Sequence, residues 1–237
     1  GLDSWQMSLR KRAIEIGVQE ISLNVAEEKA TVFFSLEFDR IVKPEKFRTG
    51  NLFNIHFSLL PSYKGMFTSI WPILYGDDKS GCTLHVIDAG IDTGGVIGQS
   101  VFSISESDCS ADLYLKYIAS SVDLFKKNVR NLLLGNWSAS KQAAIGSTYF
   151  SKKSLDFKEI KINFVATAWE VGRQIKAFSF RPYQLPVVMG VRIVNYEITQ
   201  KPSVFKPGEL VEEREDCLEF ATIDYNIILY KDKQVEV

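Results

Sequence analysis

Between residues 31 and 103 short continuous apolar runs alternate with polar breaks marked by proline or glycine, and on either side of that stretch the apolar residues fall at helical spacing. Met7, Leu9, Ala13, Ile14 and Ile16 predict a helix over 6–17, with Gly17 as its stop. Asn24 predicts the cap of a short helix over 24–29 with an acidic first turn. The run 31–36 is apolar and β-favouring throughout, the mark of a strand covered on both faces. Pro44 opens a helical turn over 44–47, and 52–58 reads as the next strand. Thr68 and Ser69 offer caps for a short helix over 70–75 that tolerates Pro72 in its first turn and ends near Gly76. Strands follow at 81–88 and 96–103. Ser107 and Asp108 then cap a long helix whose apolar residues, from Leu113 to Leu133, recur at helical spacing until Gly135.

Helices alternating with strands in this way predict a parallel sheet with crossover helices. Residues 138–147 are small and polar and 151–154 are charged, so a boundary is placed near 150. Beyond it come one helix, over 164–177, and β-like runs at 187–198, 217–222 and 225–230. The expected architecture is an α/β domain over 1–150 with an open, mostly parallel, Rossmann-like sheet, followed by a small C-terminal α+β appendage over 151–237. The chain opens on Gly1-Leu2-Asp3-Ser4-Trp5 instead of the apolar strand usual in such domains, which suggests that an opening strand is missing.

Composition narrows the class. The 237 residues are 46% hydrophobic, ample for a packed core and against disorder. Twenty-eight basic residues nearly balance 29 acidic ones, so net charge points to neither a nucleic acid nor an anionic membrane. Cys82, Cys109 and Cys217 are widely spaced and read as reduced thiols of a cytoplasmic protein. Two histidines and no clustered cysteines leave no standard metal-ligand set.

Both histidines fall in one stretch of about forty residues, where Asn54, His56 and Asp92 supply an amide, an imidazole and a carboxylate. Those groups serve as an oxyanion donor, a proton carrier and a group that orients the carrier. Asn54 and His56 lie two apart at a strand end and so share a face. Asp92 is expected to orient His56 or raise its pKa.

The segments Asn54-Ile55-His56, Ser58-Leu59-Leu60-Pro61, Lys64-Gly65, Gly81-Cys82-Thr83-Leu84-His85 and Asp88-Ala89-Gly90-Ile91-Asp92-Thr93-Gly94 resemble those of the formyltransferases that use 10-formyltetrahydrofolate. Residues 57–69 and 176–186 are similar to stretches of sugar N-formyltransferases, which act on nucleotide-linked amino sugars. The resemblance implies a catalytic triplet of Asn54, His56 and Asp92. It also implies a folate pocket lined by His85, Ile87, Asp88, Ala89, Gly90 and Ile91, although for His85 a purely structural hydrogen bond is an equal alternative. Tyr63, Lys64, Met66 and Phe67 are candidates for contact with the nucleotide sugar. Phe178, Phe180 and Tyr183 read either as substrate-facing residues or as an apolar hinge.

The expected reaction is formyl transfer to the amine of a dTDP-linked 3-amino or 4-amino dideoxy sugar for surface polysaccharide such as O-antigen, by a cytoplasmic homodimer without a metal. One alternative is a methionyl-tRNA formyltransferase-like enzyme. Residues 151–237 carry 13 basic and 13 acidic side chains, which counts against a phosphate-backbone partner. A second alternative is a non-catalytic binding subunit of the same fold.

Overall fold

The computed structural model describes residues 8–38, 40–181 and 183–233. In chain order come α1 (Leu9–Glu15), α2 (Leu23–Lys29), β1 (Phe33–Ser35), a 3-10 turn (Pro44–Lys46) and β2 (Leu52–His56). The two-residue β3 (Lys64–Gly65), α3 (Trp71–Tyr75), β4 (Lys79–Val86) and β5 (Val96–Ser103) follow. After the long α4 (Ser110–Leu133) come β6 (Tyr149–Phe150), a 3-10 turn (Lys152–Ser154) and α5 (Ala168–Ala177). The chain then forms β7 (Val187–Val188), β8 (Val191–Pro202), β9 (Leu210–Glu213), β10 (Cys217–Ala221) and β11 (Tyr225–Lys231). Residues 1–7 and Pro182, parts of the expected first helix and of the 176–186 motif, lie outside the described residues.

The first sheet has the order β1-β2-β4-β5. Its β1–β2 pairing is parallel, whereas β2–β4 and β4–β5 are antiparallel. The core is thus α/β and Rossmann-like, with its parallel character confined, among the described residues, to the β1–β2 edge. Helix α4 closes one face of this sheet and completes a core of Phe53, Ile55, Leu84, Leu113, Tyr117 and Leu124. Each such side chain, fully buried, contributes about 1.5–3 kcal/mol. Cys82 lies in the same core, completely buried, with its thiol donating to the Tyr117 carbonyl.

The second sheet, β7-β8-β11-β10-β9, is antiparallel throughout. Helix α5 packs Ala168, Val171 and Ile175 against its Ile193, Leu218, Ile227 and Leu229. Gly172 leaves room for the Tyr196 ring at this contact, and a Cβ there would require that ring to move. Cys217 is buried on β10 of this sheet.

Three helix starts differ from expectation. Ser22, not Asn24, stands at the cap of α2. Ile70 takes the cap position of α3, and neither Thr68 nor Ser69 does. The Asp108 carboxylate is occupied by the Ser105 N–H and by Lys116, so α4 starts later, where Cys109 and Asp112 form a capping box. The expected boundary near 150 also shifts. Leu155 and Ile160 still pack on the first core, and Ile162 touches both cores. Residues 146–150 form a strap hydrogen-bonded across the first domain, with Ser62 Oγ donating to the Gly146 carbonyl and the Lys64 N–H to that of Thr148.

Candidate functional site

Strand β2 projects Asn54 and His56 to the same side, and its register with β4 places His85 directly opposite Asn54. The Asn54 amide Nδ2 lies 3.1 Å from His85 Nε2. On its other side His85 Nδ1 is 2.8 Å from the Val86 carbonyl. A carbonyl only accepts, so the network assigns the His85 proton to Nδ1 and leaves Nε2 to accept from Asn54. His56 is the reverse. Its Nε2 is 2.8 Å from the Tyr63 carbonyl and therefore carries the proton, leaving an acceptor lone pair on Nδ1.

Asp92 lies between the two rings. Its Oδ2 is 3.5 Å from His56 Nδ1, and its Oδ1 is 3.6 Å from His85 Nε2 and 3.4 Å from Asn54 Nδ2. The Gly65 N–H donates to Oδ2 at 2.9 Å. The loop that carries Asp92 is itself fixed: Gln142 Nε2 donates to the carbonyls of Asp92 and Gly94, and Asp88 Oδ1 accepts from the Gly90 N–H and the Thr93 hydroxyl.

Burial lowers the His56 pKa below the ordinary histidine value and outweighs the upward pull of the Asp92 carboxylate and the Tyr63 carbonyl; His85 adds to the lowering. The expected effect of Asp92 on His56 is therefore present but smaller than desolvation. Burial would raise the Asp92 carboxyl, but His85 and His56, whenever either ring carries a proton toward it, and the Gly65 N–H hold it below the usual carboxylate range. At neutral pH the site thus presents a neutral imidazole beside a carboxylate, the pair needed to accept a proton.

These groups form the floor of a cavity of about 1020 Å³. Ile87, Asp88, Gly90 and Ile91 line it, as do Met66, Phe67, Phe180 and Tyr183. Four sequence candidates lie off its wall. Ala89 is absent from the lining. The Tyr63 side chain turns away to donate to Asp77 Oδ2 at 2.6 Å, and Lys64 Nζ donates to Ser147 Oγ at 3.1 Å. Phe178 is 7% exposed and belongs to the first core.

Sequence reasoning missed two parts of the lining. One is Ser35, Glu37, Phe38, Arg40, Ile41 and Val42, at and just beyond the carboxyl end of β1. The available signal was positional: sites in α/β sheets form where parallel strands end, and β1 runs parallel to β2. The other is Tyr114, Tyr149, Lys152, Phe157 and Gln184, which face the cavity from α4, from residues 149–157 and from the segment after α5. Among the described residues, the groups of acidic, cysteine and histidine side chains include none arranged to hold a metal ion. No described helix is long and apolar enough to cross a membrane.

Fold and site together define a Rossmann-like α/β domain with an amide–imidazole–carboxylate set at a strand end, suited to acyl chemistry at an amine. Residues 9–127 match the model of the formyl transferase family, and the chain belongs to that family. It is 41% identical to the sugar 3N-formyl transferase WlaRD, solved with dTDP and 5-N-formyl-THF; the match covers 99% of this chain and 85% of that one, with a TM-score of 0.89. It is 44% identical to an N-formyltransferase of Helicobacter canadensis solved with folinic acid and dTDP-3-aminofucose, over 98% and 85% of the two chains, with a TM-score of 0.88. Methionyl-tRNA formyltransferase of Coxiella burnetii is 32% identical over 178 residues, 73% of this chain and 56% of that protein. The chain spans about half the length of the curated relatives it matches.

Proposed function

We propose that this chain transfers the formyl group of 10-formyltetrahydrofolate to the amine of a dTDP-linked 3-amino dideoxy sugar. The observation that carries the reading is the meeting of two acceptors, His56 Nδ1 and Asp92 Oδ2, 3.5 Å apart on the floor of a cavity large enough for two substrates. An amine nitrogen bridges them from the cavity side, off the line that joins them. Asp92 receives it as an ammonium, and His56 Nδ1 takes the proton that must leave before the nitrogen can attack. Attack on the formyl carbon forms a C–N bond and places negative charge on the formyl oxygen. One N–H of Asn54, engaged at rest in its longer 3.4 Å contact with Asp92, turns to that oxygen. Collapse breaks the bond to N10 of the folate as His56 passes its proton to the departing nitrogen; His56 then takes the second proton from the new amide nitrogen and releases it to solvent, giving tetrahydrofolate and the N-formyl sugar.

The folate lies against the 35–42 segment and the loop from Ile87 to Ile91, and the nucleotide sugar lies along the aromatic side. Lys152 and Arg40 are the Lys and Arg side chains among the described lining residues. Lys152, between Tyr149 and Phe157 in the chain, is placed to meet the diphosphate. The choice of a 3-amino sugar draws support from the two relatives above 40% identity, whose bound ligands or names concern 3-amino sugars. The product would supply surface-polysaccharide assembly from the cytoplasm, with the enzyme working as a homodimer.

The test is a panel of dTDP- and GDP-linked 3-amino and 4-amino sugars, with methionyl-tRNA as a further arm, all with the folate donor. Turnover is expected with a dTDP-linked 3-amino sugar. Formylation of methionyl-tRNA alone, or of nothing, would overturn the assignment.

A further inference from the structure

Tyr63 and Gly65 sit two residues apart on one short segment and hold the two members of the acid–base pair from the same side. The Tyr63 carbonyl accepts from His56 Nε2 at 2.8 Å, and the Gly65 N–H donates to Asp92 Oδ2 at 2.9 Å. The residue between them, Lys64, is paired with Tyr149 in the parallel β3–β6 ribbon. We propose that the 146–150 strap, through Tyr63 and Gly65, is a positioning device for the transfer: it locks His56 as the Nε2–H tautomer and so aims the Nδ1 lone pair at Asp92 and the amine.

The hold on this segment is unusually complete. The Tyr63 N–H donates to Thr148 Oγ1 at 2.7 Å, and the Met66 N–H to the Phe150 carbonyl at 2.8 Å. The Tyr63 hydroxyl is tied to Asp77, and its ring stacks against Tyr75 and Phe150. These contacts maintain a backbone that Tyr63 does not favour, with φ at +58°. That left-handed turn points the Tyr63 carbonyl back at His56 while its side chain points out of the cavity. Gly65 has φ of +88°, and a Cβ there would collide with the Phe150 carbonyl oxygen, so strap and segment approach as closely as backbones can.

The groups facing His56 are Asp92 from the 87–94 loop, His85 from β4 and the Tyr63 carbonyl. Without the carbonyl, the neutral ring is free to place its proton on Nδ1, where it bonds to Asp92 and is no longer a base toward the amine. The proposal thus rests on His56 being the proton acceptor, but it can be tested without any substrate.

The chain has two histidines, so its imidazole nitrogens can be assigned by 15N NMR in the intact protein. The expected spectrum shows opposite tautomers, Nε2–H for His56 and Nδ1–H for His85. Thr148→Val removes the acceptor of the Tyr63 N–H, and Tyr63→Phe removes the anchor on Asp77. In both variants the His56 resonances should shift toward a tautomer mixture while those of His85 stay in place, which also reports that the fold is retained. With a formylated substrate in hand, kcat should fall between about 10-fold and 100-fold with little change in either KM. The acidic limb of kcat/KM should move to lower pH, since the carbonyl favours the protonated ring, and Thr148→Ser should restore both. An Nδ1–H tautomer for His56 in the unaltered protein would overturn the proposal. So would a His56 spectrum unchanged in both variants, or a loss expressed only in the KM of the nucleotide sugar. Absence of turnover with every amine would sink the proposed function and leave the tautomer result standing.

Discussion

The floor and the aromatic wall of the cavity are built in opposite ways. On the floor each ring and the carboxylate is anchored by a backbone group: His56 on the Tyr63 carbonyl, His85 on the Val86 carbonyl and Asp92 on the Gly65 N–H. On the wall, Tyr149 is 53% exposed and Tyr183 66% exposed, and much of the lining is aromatic. A site that moves protons needs its tautomers and angles fixed before the substrate arrives, whereas a wall that, on the proposed function, grips a nucleotide and a sugar ring needs area and charge. Chemistry and selectivity are therefore separable here, and substitutions should sort by the surface they touch.

The strongest break falls on the floor. His56→Ala should lower kcat by about 10²–10⁴-fold, the range of a lost proton carrier, with both KM values little changed. Asn54→Ala should cost about 10²–10³-fold in kcat, as for a lost oxyanion donor. If either variant instead raised only the KM of the sugar, the floor would be a binding surface.

Acidity divides the surfaces next. For activity, kcat/KM should stay level through pH 7 and fall only below the ordinary histidine value of about 6.5, because burial lowers the His56 pKa. For stability the sign is the same: the folded pKa lies below the unfolded one, so the contribution is complete above about pH 6.5 and is lost as pH drops through the folded value. Chemical denaturation from pH 8 to pH 5 should show this loss for the unaltered chain and not for His56→Gln.

On the wall the effects shrink. Lys152→Met should raise the KM of the nucleotide sugar about tenfold, as for one charge-assisted contact, and leave the folate KM alone. Lys64→Met, whose ammonium is held by Ser147, should change neither KM. Phe180→Leu should move the sugar KM by less than about tenfold, since a ring face is exchanged for a smaller apolar one. Parallel changes in kcat from these wall variants would blur the division.

The same division governed what could be read before folding. Asn54, His56, His85 and Asp92 fall within one short stretch of sequence, and the expected strand 96–103 has the observed limits of β5. The wall gathers Arg40, Tyr114, Lys152 and Gln184 from across the chain, and no local pattern links them. Tyr63 failed for another reason. Its place beside the motif suggested substrate contact, but the sign of its φ decides which way the ring points, and nothing in a Ser-Tyr-Lys-Gly string fixes that sign before the strap is in place. Helix starts slipped because several Ser, Thr, Asn and Asp residues compete for each cap, and tertiary partners such as Lys116 remove some of them.

The two buried thiols give each half of the molecule its own clock. Cys82 sits inside the catalytic sheet with its thiol pushed up to about 12 by burial, and Cys217 sits inside the C-terminal sheet. Only a thiolate reacts with a modifying reagent, so each remains silent until its own sheet opens. The rates at which the two become modified would report separately how often each layer breathes, with half-buried Cys109 at the start of α4 as an early marker between them.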